Sequence, residues 1–498
     1  MNFVLSAIAE HASSRPDAVA LSDGEFGLTY AELNKLVPAL AEKLKDTGAR
    51  TLGLALDNSP LWVVLDIASL SSGQMLVPLP GFFSHAQLTH VISNSGIDLI
   101  LTDRMEFKGF LENVGFKVLR VAEREFCRKI YFEIYIENQA NSRIPFGTSK
   151  ITYTSGTTGQ PKGVCLGLDA IENVAVSLSN AAQASTADRY LSVLPLAALL
   201  ENIAGLYVPL LSGATCLLLP LEKIGLYGAA KLDVVKMAHA LAEHRATGTN
   251  LTPQLLQALL AFLETKPSLN LGCLRFVAVG SAPVSKRLLR HAQTLNLPVY
   301  EGYGLTECAS VVSLNTPRSH RMGSVGKPLP HVQLKFGKDG EILAKGAVML
   351  GYSGMKNIAL GEYWPTGDLG FLDEDGYLHL TGRKKNIFIT SFGRNVAPEW
   401  VESELTHHHA IAQAAVFGEG MPWPVAVVVP RTPEFVEGAI KLANKELPDY
   451  AQVAAWIKAD APFTPGNGQL TSNGKLRRDS IWSAYRERIE KLYLKELV

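Results

Sequence analysis

Thr152-Tyr153-Thr154-Ser155-Gly156-Thr157-Thr158-Gly159-Gln160-Pro161-Lys162-Gly163-Val164 is the stretch whose reading decides the rest of the chain. Hydroxyls and glycines alternate in it, and a lysine closes it. Glycine lets the backbone come close to a ligand and turn its N–H groups toward an anion. Ser155, Thr157 and Thr158 add side-chain donors, and Lys162 adds a point charge suited to phosphate. The stretch reads as a phosphate-gripping loop. It is not a Walker A loop, which carries Gly-Lys where this chain has Pro161-Lys162. A flexible Ser/Thr/Gly linker is the plainer alternative. The apolar run before the loop, and the helix-like stretch that Gly163-Val164 is expected to open, weigh against it.

Outward from the loop, short β-like runs alternate with helical patterns. Thr51–Leu56 and Leu99–Thr102 read as buried strands, and Leu274–Gly280 as another that ends on glycine. Tyr30–Leu44 carries helical spacing behind Thr29, a plausible N-cap. Strand–helix alternation predicts α/β layers with mostly parallel sheets, whose ligands bind at the carboxyl ends of strands. The glycine-rich turns at Gly156, Gly280 and Gly302 all follow strand-like runs. Near residue 332 the texture changes. Hairpin signals at Lys338-Asp339-Gly340 and Asp375-Gly376 predict a small β-rich subdomain. Beyond Gly382 a compact α+β module is expected, with a helix near Pro398–Thr406 and strands near Ala414–Phe417 and Val425–Val429. The polar stretch 137–149 reads as a surface connection.

Composition bounds the class. A chain of 498 residues needs two or more cores, and 47% apolar residues suffice to build them. A net charge of zero gives no support to a nucleic-acid-binding surface or a polybasic anchor. The five cysteines are scattered without a CxxC pair, so reduced core thiols are expected rather than disulfides or zinc. The N-terminal Met1–His11 resembles a short amphipathic helix rather than a signal peptide. No apolar run reaches the ~18 residues of a membrane span. A cytoplasmic enzyme is expected.

Four further motifs stand downstream of the loop: Tyr303-Gly304-Leu305-Thr306-Glu307, Thr366-Gly367-Asp368, Gly382-Arg383-Lys384-Lys385 and Asn473-Gly474-Lys475. Together with the loop, in this order, they resemble the adenylate-forming enzymes: acyl-CoA and aryl-CoA ligases, luciferases and peptide-synthetase adenylation domains. The resemblance covers essentially the whole chain. It implies an N-terminal domain over residues 1–382, made of layered α/β subdomains and the β-rich one. A small mobile α+β domain over residues 383–498 follows.

The resemblance also assigns roles. A carboxylate attacks the α-phosphate of ATP and pyrophosphate leaves, so two anions must be neutralised and aligned. Thr154, Ser155, Gly156, Thr157, Thr158, Gly159 and Lys162 would grip the β- and γ-phosphates, and Glu307 would hold Mg²⁺. Thr306 would touch the α-phosphate. Tyr303 would stack on adenine, beside the backbone of Gly280, Ser281, Ala282, Glu301, Gly302 and Gly304. Asp368 would accept bonds from the ribose hydroxyls, with Arg383 as a second contact. Lys475 would bridge carboxylate and α-phosphate. The C-terminal domain would then swing about Lys385, so that the thiol of CoA or of a carrier-protein phosphopantetheine attacks the acyl-adenylate. Read bare, Tyr303 is a core aromatic, Asp368 a turn residue, Lys384-Lys385 a solvated pair and Lys475 part of a basic turn.

For the acid, the phrase Arg383–Pro398 looks closest to long-chain acyl-CoA synthetases, so a fatty or other hydrophobic acyl group is expected. An aryl acid is the alternative, and a luciferase-type monooxygenase or an inactive ligand-binding relative stands further off. Ala198, Asn202, Gly280 and Gly302 would line the acyl pocket. The family often reads Leu-Pro-Leu-Ala-His here, whereas Ala198 follows Leu194-Pro195-Leu196-Ala197, which removes a polar wall. His407-His408-His409 is read as a solvated helix end rather than a metal site, since neighbouring residues on a helix point apart.

Overall fold

Ser59-Pro60 opens the helix around which the first domain is built. The computed structural model describes residues 3–126, 129–137, 143–154, 160–228, 231–355, 361–471 and 474–494. The Ser59 side chain accepts from the Trp62 N–H, and Pro60 takes the first helical position. Gly73, at φ 78°, ends the helix Pro60–Ser72. Pro60 to Ser69 are all buried, as a helix apolar on nearly every side must be, and Asp66 is the one charged residue among them. Full burial of each large side chain, such as Trp62 and Leu65, is worth about 1.5–3 kcal/mol.

This helix lies between two large sheets. One core contains Leu52 and Leu99 of one sheet, Leu21 and Cys216 of the other, and Trp62, Val174 and Leu206 from the helices between them. The nine-stranded sheet runs Lys327–Pro328, Ser310–Leu314, Val299–Leu305, Phe276–Val279, Gly248–Leu251, Arg189–Leu191, Thr215–Leu217, Val19–Ser22, Gly27–Thr29. Its central pairs are parallel. Its outer face carries the helices Val234–Glu243, Pro253–Thr265 and Lys286–Thr294. The eight-stranded sheet is covered outside by His85–Ser95 and Glu106–Asn113. The result is helices outside, between and outside two sheets, the α/β layering that the alternation predicts.

Two local expectations give way. Gly163-Val164 does not open a helix. It belongs to the strand Lys162–Gly167, which folds back antiparallel on Thr148–Thr154, and the helix begins at Leu168. Val164, Cys165 and Leu166 are all buried because the strand is covered on both faces: Val164 and Leu166 point into the core between the sheets and Cys165 into the core outside. The eight-stranded sheet is also mixed rather than mostly parallel, with antiparallel pairs toward both ends. The helix Tyr30–Asp46 starts where Thr29 predicts, with Thr29 and Glu32 capping each other's N–H groups.

A four-stranded sheet, Val332–Phe336, Glu341–Gly346, Trp364–Leu372 and Leu378–Arg383, forms the β-rich unit. The C-terminal part holds the helix Pro398–Thr406, a three-stranded sheet (Ile411–Phe417, Val425–Pro430, Ala455–Lys458) and the helix Arg478–Leu494. Cys165, Cys216, Cys273 and Cys308 are free, and Cys127 lies outside the described residues. Among the described residues no helix is long and apolar enough to cross a membrane.

Candidate active site

The hairpin around the phosphate loop brings Thr154 and Lys162 opposite each other. Ser155 to Gly159 lie outside the described residues. The strand Gly351–Tyr352 pairs alongside, Tyr352 opposite Val164. Lys162 Nζ therefore sits 5.7 Å from the centre of the Tyr352 ring. The Tyr352 hydroxyl donates to Glu307 Oε1 at 2.9 Å, which links the loop lysine to the expected metal ligand. Tyr352 lies outside all five sequence motifs. Only the sheet pairing reveals it, since nothing in Gly351-Tyr352-Ser353 marks a site.

Glu307 stands on the single turn Thr306–Cys308, between the strands Val299–Leu305 and Ser310–Leu314. The chain reverses sharply after it, with Ala309 at φ 51° and Ser310 at φ 103°. Such left-handed non-glycine residues cost energy and recur at functional sites. Gly304 is required by the same reversal, because a Cβ there would run into the Ser310 carbonyl. Gly280 and Gly302 also meet: a Cβ on Gly280 would lie 3.0 Å from the Gly302 carbonyl oxygen. Ser281, at φ 69°, and Ala282 are exposed on the rim. Glu301 is buried, and desolvation lifts its carboxyl to about 8.

Sheet register places the next pair. Asp368 faces Arg383 across two antiparallel strands, and Arg383 Nε lies 3.2 Å from Asp368 Oδ1. The Tyr303 hydroxyl donates to Asp368 Oδ2 at 2.8 Å. Burial raises the Asp368 carboxyl, opposed by Arg383, the Tyr303 bond and Lys475. Tyr303 is thus both buried and anchored to the expected ribose ligand, so the plain core-aromatic reading accounts for its ring but not for its hydroxyl.

Lys475 arrives from the far end of the chain. Its turn is closed by the Thr471 N–H to the Lys475 carbonyl at 2.7 Å and by the Lys475 N–H to Thr471 Oγ1 at 2.9 Å. Lys475 keeps exposed surface, but its ammonium end is desolvated among the charges of the cleft. Desolvation lowers its pKa, Arg383 and Lys385 add repulsion, and Asp368 and Glu307 oppose both. Lys385 in turn senses Arg383 and Lys162. Lys162, Arg383, Lys385 and Lys475 outnumber Glu307 and Asp368, so the cleft carries excess positive charge of the kind that draws polyanions.

Profile comparison assigns residues 8–353 to "AMP-binding enzyme" and residues 385–497 to "AMP-binding enzyme C-terminal domain". The chain belongs to the AMP-binding enzyme family. It is 30% identical to the 2-succinylbenzoate–CoA ligase of Bacillus pumilus over 425 residues, 81% of this chain and 82% of that one. It is 29% identical to the indoleacetate–CoA ligase of Aromatoleum aromaticum, covering 85% and 87% of the two chains. A long-chain-fatty-acid–CoA ligase of Mycobacterium bovis is 31% identical over 270 residues, 48% of this chain and 45% of its own. The o-succinylbenzoate CoA synthetase of Bacillus subtilis, solved with its acyl-adenylate, superposes with a TM-score of 0.76 at 26% identity, over 96% of this chain and 97% of that one. The same synthetase has been solved with ATP and magnesium.

Within this AMP-binding enzyme, a narrow apolar cavity of about 70 Å³ lies beneath the nine-stranded sheet's central strands, lined by residues including Tyr190, Leu200, Ala204, Val208, Phe276 and Ala278. Ala198 precedes the helical segment that supplies three of these walls and is not itself among the lining residues. Asn202, expected on the pocket wall, is turned away and fully buried against Lys150. Two of the three histidines depart from the solvated-end reading, and His409 is exposed as expected. His407 and His408 are half-buried against Arg287, which, after burial itself, holds both near 4. No cluster of three or more His, Cys, Asp or Glu suited to a metal occurs among the described residues.

Proposed function

We propose that the chain joins an aromatic or arylalkyl carboxylic acid to CoA through an acyl-adenylate, with ATP as the activating nucleotide. The observation that carries the reading is the convergence of Lys162, Arg383 and Lys475 with Glu307 and Asp368 in one cleft beside the Gly280–Gly302 slot. Cations gathered there would offset the meeting of carboxylate and triphosphate. Mg²⁺, when bound, supplies further charge neutralisation at the leaving pyrophosphate, and Glu307 would hold it. The fit is good, since Tyr352 donates to Oε1 of Glu307 and steadies the carboxylate. Asp368, already paired with Arg383, would take the ribose, and Thr306 the α-phosphate. The domain boundary falls at 382/383, and Lys385 is the hinge.

For the acid, relatives that span more than four fifths of the chain favour the aryl alternative over the fatty-acyl expectation, since the long-chain relative matches about half of the chain. The aromatic Tyr190 and Phe276 in the cavity wall support the same choice. CoA is favoured over a carrier protein because the relatives are CoA ligases.

The test is pyrophosphate release over a panel of aryl, arylalkyl and fatty acids, with and without CoA. Aryl or arylalkyl acids should give release and a CoA thioester. Preference for fatty acids, or thioester only on a carrier protein, would overturn the reading. Lys475→Ala should slow adenylation about 100-fold, roughly 3 kcal/mol, and still convert supplied acyl-adenylate to thioester. Equal loss in both half-reactions would remove Lys475 from the phosphate role.

A further inference from the structure

Behind the cavity lies a closed polar network that the proposed reaction does not use. Lys150 and Asp66 are both fully buried, with Nζ 2.6 Å from Oδ1. The Lys150 ammonium also donates to Tyr207 Oη at 2.8 Å and to Asn202 Oδ1. The Tyr207 hydroxyl and the Asn202 amide donate in turn to Asp66 Oδ2. All three ammonium donors and both carboxylate oxygens are therefore engaged. Removing one partner of such a pair leaves an uncompensated buried charge, whereas an apolar core of the same volume is often as stable. Stability alone is thus a weak account of why the charges are there.

The network joins three elements. Asp66 sits mid-helix in the buried Pro60–Ser72, and Lys150 lies on the strand Thr148–Thr154 that runs into the phosphate loop. Asn202 precedes and Tyr207 ends the π-helical turn Ile203–Tyr207, which is closed by the bond from the Val208 N–H to the Ile203 carbonyl. Their spacing is the decisive point. In an α-helix of 3.6 residues per turn, residues five apart point about 140° away from each other and cannot share a partner. The wider π turn returns the fifth residue toward the same face. Asn202 and Tyr207 reach the same lysine and aspartate only if the turn stays π-helical. The opposite side of this segment supplies Leu200, Ala204 and Val208 to the cavity. A return to α geometry would rotate one part of that wall relative to the other by roughly one residue's 100°.

We propose that the Lys150–Asp66–Asn202–Tyr207 network sets acid selectivity by holding the 203–207 segment in its π turn and so fixing the shape of the cavity. These are positioning residues, since none of the four lines the cavity. The inference rests on the proposed reading only in taking this cavity as the seat of the acid's apolar part, and it does not depend on whether that part is aryl or aliphatic.

The deciding variant is Tyr207→Phe, which deletes one hydroxyl and keeps the ring and the charge pair. Asn202→Ser is the second, and Ala204→Leu narrows the cavity directly. Each is assayed as the full chain by pyrophosphate release over acids of graded size, with circular dichroism reporting fold. Tyr207→Phe and Asn202→Ser should raise KM for the best acid about tenfold and shift the size profile, with KM for ATP changed less than twofold. Ala204→Leu should exclude the larger acids. An unchanged acid profile in folded Tyr207→Phe, or equal changes in KM for acid and ATP, would overturn the proposal. Unfolding of both Tyr207→Phe and Asn202→Ser would overturn it too, because the network would then be a stability element. If the wild type prefers fatty acids, the aryl reading fails while this comparison still runs on those acids.

Discussion

At the residue scale, the informative groups are those whose surroundings disagree with their chemistry. Glu201 is fully buried, with Oε2 accepting from the Asn250 amide at 3.0 Å. Desolvation lifts its carboxyl to about 8, against an ordinary 4.5. The native state therefore holds a proton that the unfolded chain releases between these two values, so stability falls as pH rises through about 4.5 to 8. Glu201→Gln should flatten the melting temperature across that window and raise it at pH 8 relative to wild type. Parallel pH profiles for the two proteins would show that the carboxyl is not buried as a neutral group. Glu307 poses a different question. Its motif marks it as the expected metal ligand, but the motif says nothing of Tyr352. Tyr352→Phe should weaken the response of adenylation to Mg²⁺ while leaving the fold intact, read as a higher Mg²⁺ concentration at half-maximal rate. An unchanged Mg²⁺ response would make the Tyr352–Glu307 bond a packing feature.

Among elements, the reversal around Glu307 depends on backbone rather than side chains. Gly304 must leave room for the Ser310 carbonyl, and Ala309 and Ser310 carry positive φ to complete the turn. Gly304→Ala should therefore displace the strand Ser310–Leu314 and with it Glu307. It should lower the melting temperature and abolish pyrophosphate release together. Full activity in Gly304→Ala would mean the hairpin has slack that the backbone geometry does not show. The glycine was legible in the sequence as an expected nucleotide contact, but its structural requirement was not, because the clash partner is six residues away and on the returning strand.

On the scale of the whole molecule, the issue is how the C-terminal domain rests on the first. The Gln257 amide donates to the carbonyls of Thr406 and His407, at 2.9 and 3.0 Å, and so satisfies the open end of the helix Pro398–Thr406. Arg287 lies 3.1 Å from His408 Nε2, and Arg290 3.8 Å from Glu446. This docking is the arrangement that brings Lys475 into the cleft. Gln257→Leu should slow adenylation several-fold and spare the thioester half-reaction on supplied acyl-adenylate. Equal slowing of both halves would sever the link between this contact and domain orientation. The half-buried His407 and His408, held near 4, add stability that is present above about 6.5 and lost as pH falls toward 4, so docking should weaken through that interval.

Much of this protein was readable from local pattern. Hydroxyls, glycines and lysine in 152–164, and the order of the four later motifs, were enough for the family. Capping chemistry at Thr29 and hairpin glycines at Gly340 and Gly376 placed elements because those rules act over a few residues. The candidate site was legible as a set of names, and tertiary structure decided which of them meet. Asp368 and Arg383 face each other through strand register, Tyr352 enters beside Lys162 through an added strand, and Lys475 reaches them through domain docking. The π turn, the buried Lys150–Asp66 pair and the cavity behind Ala204 were invisible, since each depends on groups far apart in the chain whose burial no local periodicity records. The same physics explains both outcomes: short-range hydrogen bonding and steric rules write themselves into adjacent residues, while desolvation and packing are settled only when distant segments close on one another.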